Sequence, residues 1–93
     1  MVVREKDVIA AAIRCKRFSD AVEITRLIDE EYEEARKKGE VGKFFWLKPI
    51  VVRHGTVLVF CPPGAQEKAR SLVERALIKR FTFIVESGII NLP

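Results

Sequence analysis

Side chains able to do chemistry are few and scattered in this sequence. His54 is the sole histidine, and Cys15 and Cys61 are the only thiols. A Cys–His nucleophile pair needs a thiol beside the imidazole. Cys61, however, falls at the far end of the strand that follows His54. Neither cysteine has a CxxC partner, and no His/Cys set has zinc-site spacing, so two unpaired, buried thiols are expected. The pattern predicts no enzyme, no metal and no cofactor, although a carboxylate-only site built from Asp7, Asp20 or the acidic run 29–34 is left open.

That acidic run, Asp29, Glu30, Glu31, Glu33 and Glu34, invites a metal or partner-binding reading. Glu33 to Lys37 and Glu34 to Lys38 are i,i+4 pairs in the favourable order, which is how a solvated helix face is built. The segment KKGEVGK has a Gly-x-x-Gly spacing and a Gly-Lys step. It fails as a Walker A loop because its glycines are too close together and Phe44 follows the lysine. It fails as a KH clamp because a strand should follow it and Glu40 would repel phosphate. A helix cap and connector is the expected role.

The stronger signal is charge. The net +4 is uneven: residues 1–42 hold 9 basic and 10 acidic side chains, residues 43–93 hold 8 and 3. Attraction to phosphate is therefore assigned to the second half, through Lys48, Arg53, Lys68, Arg75, Lys79 and Arg80, with Phe44, Phe45 and Trp46 as stacking platforms. Adjacent strand residues face opposite ways, so Phe44 and Trp46, or Phe45 alone, can share a surface.

The elements that must position these residues follow from periodicity. Val8, Ile9, Ala12, Ile13 and Cys15 recur at helical spacing and predict a helix over 5–17. Asp20 and Glu23 have capping-box spacing, so a second helix starts near Ala21 and ends at Gly39. A single bent helix through Phe18 is the alternative. His54-Gly55 between apolar runs predicts a two-residue hairpin turn pairing Arg53 with Thr56, Val52 with Val57 and Val51 with Leu58. Pro49 lacks a ladder donor and marks an edge or a bulge. CPPG ends the second strand and launches a helix near 64–80, and FTFIVE, 81–86, alternates as a strand.

The resulting order α-α-β-β-α-β describes a single small α+β domain over residues 1–93, a hairpin plus a βαβ-like unit in a three-stranded sheet packed with helices. Both hairpin faces are apolar, so each needs cover. The first two helices on one side and the third on the other would supply it. A homodimer meeting at the Pro49 edge or the IINL tail would supply it too.

Composition sets the remaining bounds. With 93 residues, 48% hydrophobic and 32% charged, the chain is an ordinary soluble globule. No apolar run approaches a membrane span, and charge appears at once in MVVREKD, which places the protein inside a cell. Met1, Gln66 and Asn91 are the only heat-labile residues of their types, a thermophile-like depletion.

The functional expectation is a nucleic-acid-associating module that binds mainly phosphate. The alternative is a homo-oligomeric structural or interaction subunit. A winged-helix DNA binder, with 29–39 as recognition helix, would put five acidic side chains against the major groove and is the weaker variant.

Overall fold

The computed structural model describes residues 7–79. Their order is β1 (Val8–Arg14), α1 (Phe18–Lys37), β2 (Lys48–Val52), β3 (Thr56–Cys61) and α2 (Gln66–Ile78), with a 3₁₀ turn, Arg53–Gly55, between β2 and β3. This is an α+β fold, as the pattern predicted. Among the described residues its sheet is antiparallel, in the order β1-β3-β2, which puts the Pro49 strand at an edge. The expected strand 81–86, the tail 88–93 and hence the βαβ-like unit lie outside the described residues.

The first element differs from the expected helix over 5–17. VIAAAIR is an apolar run of strand length between Asp7 and Arg14, and periodicity alone does not separate such a run from a buried helix. Pairing decides it: Val8 stands opposite Cys61, Ala12 opposite Leu58 and Arg14 opposite Thr56, with an irregularity between Ile9 and Ala11 that leaves Ala10 as a bulge.

Because residues 8–14 form a strand, the single bent helix through Phe18 does not exist, and because helix α1 then runs unbroken from Phe18 to Lys37, neither does a helix-turn-helix divided at residue 29. Its stop is the one expected. Gly39 adopts φ +73°, its N–H donates to the Arg36 carbonyl and the Glu40 N–H to the Ala35 carbonyl, which is the Schellman pattern.

The hairpin register also differs, by one residue. The turn takes three residues, not two, and Val52 pairs with Thr56, Val51 with Val57 and Ile50 with Leu58. Gly55 explains the shift. With φ +73° it supplies the left-handed residue that closes a three-residue turn. It is also buried against the β1–α1 connection, where an added Cβ would lie 3.4 Å from the Cys15 carbonyl oxygen and 3.7 Å from that of Arg17.

Register determines the core. Val57, Val59 and Cys61 alternate onto one face of β3 and are fully buried there with Ile24 and Ile28 of α1 and Leu72, Val73 and Leu77 of α2. Both helices therefore share that face, which replaces the expected arrangement with a helix layer on each side. The opposite face presents Ile9, Ile50, Leu58 and Phe60, all half-buried. Cys15 and Cys61 are free and lie at opposite ends of the β1–β3 ladder, so they cannot bridge. Among the described residues no helix is long and apolar enough to cross a membrane.

Gly55→Ala should destabilise the protein by about 1–2 kcal/mol, because a Cβ in the left-handed region is strained. Gly42→Ala, in open space at ordinary φ, should stay within about 0.5 kcal/mol. Urea denaturation midpoints of the two variants check this. Equal losses would remove the special role of Gly55.

Candidate nucleic-acid interface

Of the six cations expected to meet phosphate, the five that are described do not form one surface. Lys48 and Arg53 bracket β2 and are separated by its length, roughly 17 Å at about 3.4 Å per residue. Lys48 lies by α1, where partial desolvation pushes the Asp29 carboxyl up and Lys48 draws it back down. Lys68 is exposed in the first half of α2. Arg80 lies outside the described residues.

Arg75 and Lys79 are brought together, but around a carboxylate. Glu31, on the buried side of α1, is only 3% exposed. Its two oxygens meet Arg75 Nη2 at 2.7 Å and Lys79 Nζ at 3.0 Å, while Arg75 Nη1 also donates to Glu40 at 2.6 Å. A charge this buried needs partners, and both cations come from the neighbouring helix. The run 29–34 is thus a solvated face with one exception, Glu31, which the α1 stripe Ala21, Ile24, Leu27, Ile28 turns inward. A phosphate drawn to Arg75 or Lys79 would have to displace that carboxylate.

The connector 38–47 joins the same network. The hydrogen bond from Arg75 holds the Glu40 carboxyl below the ordinary glutamate range, with Lys38 and Lys68 adding to the effect. The hydrogen bond from Lys38 does the same for Glu34. The aromatic triplet lies in the connector ahead of β2, with Phe44 in a turn, so strand alternation does not govern where its rings face. Phe45 packs on the core, its carbonyl accepting from the Tyr32 hydroxyl at 3.2 Å and its ring 6.1 Å from the tyrosine ring. Phe44 is 82% exposed, with Lys43 Nζ 5.1 Å from its centroid.

A different cluster emerges at the other end of α1. Arg14 ends β1 opposite Thr56; Arg53 opens the turn; Lys16 and Arg17 lie in the connection that Gly55 backs onto. All four are exposed. Arg17 pairs with Asp20 at 3.2 Å, whereas Arg14, Lys16 and Arg53 make no ion pair among the described residues. The helix starts here without a side-chain cap, so the positive end of its dipole adds to the same potential. Of the expected residues only Arg53 belongs to this cluster.

The signal for the others was the run RCKR at 14–17, hidden because it was averaged into a half-chain whose net charge is slightly negative. Among the described residues no group of three or more His, Cys, Asp or Glu could hold a metal ion.

The chain matches no protein-family model, no curated protein and no solved structure.

Replacing Arg75 and Lys79 together by Met strands the Glu31 carboxylate and should destabilise the protein, most of the loss being recovered when Glu31→Leu is added. Chemical denaturation of the double and triple variants reads this directly. The depressed Glu34 and Glu40 values add stability that is complete above the unfolded-state value and lost as pH falls through the folded one. The destabilisation by Glu40→Gln should therefore be full at neutral pH and fade below about pH 4. A difference independent of pH would contradict the assignment.

Proposed function

We propose that this protein associates with nucleic acid through the phosphate backbone, and that the contact surface is the basic end formed by Arg14, Lys16, Arg17 and Arg53, not helix α2. The observation that carries the reading is that Arg14, Lys16 and Arg53 are exposed, gathered by the Gly55 turn, and without ion pairs among the described residues. Free cations release counterions from a polyanion on binding; cations already held by Glu31 and Glu40 gain much less. The reading is of a binding module and assigns no catalytic step.

Titration of labelled DNA and RNA at two salt concentrations tests it. Engaging three or four phosphates of a single strand gives log K a slope of about −2 to −3 against log salt, at roughly −0.7 per contact. Arg14→Glu with Lys16→Glu and Arg53→Glu should abolish binding. Lys48→Glu with Lys68→Glu should leave most of it. No association at low salt would sink the proposal, and survival of binding in the triple reversal would sink the surface.

A second reading draws on the sheet face opposite the helices, where Ile9, Ile50, Leu58 and Phe60 make an apolar row that no described helix covers. In that reading two copies pair through this face, as a homo-oligomeric subunit. Light scattering should then give twice the chain mass, reduced to a monomer by Leu58→Lys. A clean monomer for the unmodified chain at high concentration would end this reading.

A further inference from the structure

Phe18 is the feature that neither the core nor the charge pattern absorbs. It is the first residue of α1, it follows Arg14, Lys16 and Arg17 directly, and it is 67% exposed. It belongs neither to the buried core nor to the half-buried residues packed against it. A hydrophobic staple does not account for it, because that contact joins the residues before the cap and at the fourth helical position, here Lys16 and Ala21. Helix propensity does not account for it either, since a phenylalanine is a poorer helix former than Ala, Glu or Lys.

Its neighbours make a ligand of one kind fit. Helix α1 contacts the Arg53–Gly55 turn, and the backbone of Cys15 to Arg17 packs on Gly55, so Phe18 is an exposed residue at the end of the helix where these cations lie. Among the described residues the other strongly exposed aromatic, Phe44, is in the connector beyond the opposite end of α1. That helix has 20 residues and spans about 30 Å, so the two rings do not share a platform.

Resting on the phosphate-binding reading above, we infer that the basic end takes single-stranded nucleic acid, with Phe18 stacking on an unpaired base while Arg14, Lys16 and Arg53 hold the flanking phosphates. A flat ring beside several cations matches a strand whose bases are free to leave the stack, because every base offers a π-face and sequence need not matter. A duplex buries those faces and offers the ring nothing without being unstacked.

The full chain is tested by fluorescence anisotropy against labelled 12-mers of dT and of U, a 12-base-pair duplex, and by competition with inorganic polyphosphate, which has the charge but no bases. Single strands should bind more tightly than duplex. Phe18→Ala should weaken them roughly five- to a hundredfold, leaving the salt slope and the polyphosphate affinity unchanged, and Phe18→Trp should restore binding. Circular dichroism confirms that each variant is folded, which an exposed first helical residue permits.

If single strands and polyphosphate bind but Phe18→Ala changes nothing, or duplex binds as tightly as single strands, the stacking inference is overturned while the basic end stands. If no polyanion binds at low salt, the phosphate reading itself fails and this inference with it.

Discussion

The turn at Gly55 takes this form because that residue can hold a left-handed backbone, and it does so packed beside the carbonyls of Cys15 and Arg17. Two consequences descend from that one position. In the sheet it makes the hairpin turn three residues long, which puts Val51 with Val57 on the core face and Ile50 with Leu58 on the other. A shift of one residue would exchange the two sets. In the surface it presses the β2–β3 turn onto the β1–α1 connection, and so collects cations that are about 40 residues apart in sequence. The core and the candidate interface therefore depend on the same small backbone contact.

Charge in this molecule divides into two populations. Arg75 and Lys79 act inside the fold, closing α2 onto α1 through a carboxylate that water barely reaches. Surface pairs such as Arg26 with Glu23 and Glu30 decorate the outer side of α1 and contribute little each. Arg14, Lys16 and Arg53 belong to neither group. Net charge counts all of these alike, so a basic half-chain does not separate cations already paired within the fold from those that are not.

What could be read from the sequence follows the range of the forces involved. The body of helix α1, its Gly39 stop, the CPPG break before α2 and the edge position of Pro49 were legible, because breakers and helical stripes act over a few residues. The start of α1 was not, since the helix begins at Phe18 with Arg17 as N-cap and the expected Asp20–Glu23 box lies inside its first turns, without a side-chain cap. The strand nature of VIAAAIR was not: its alanines suit a helix, and only the distant ladder with β3 overrules them. The hairpin was legible but its register was not, since His-Gly fits a two-residue turn locally and the packing of Gly55 on residues 15–17 is a long-range fact. Arg53 was recognised as a candidate, but its companions were missed for the same reason. Glu31 looked like one member of an acidic run until the partner helix showed which way it faces.

The order β1-β3-β2 leaves both outer strands of the described sheet with an irregular outline. On β2 the interruption is Pro49, which has no N–H to offer an incoming strand. On β1 it is the Ala10 bulge, which twists the strand away from a flat ladder. Each edge is thereby a poor template for a foreign strand, even though the sequences VIAAAI and PIVV are oily enough to attract one. A chain this rich in short apolar segments thus carries, in its described sheet, protection against fibrous assembly in two backbone defects.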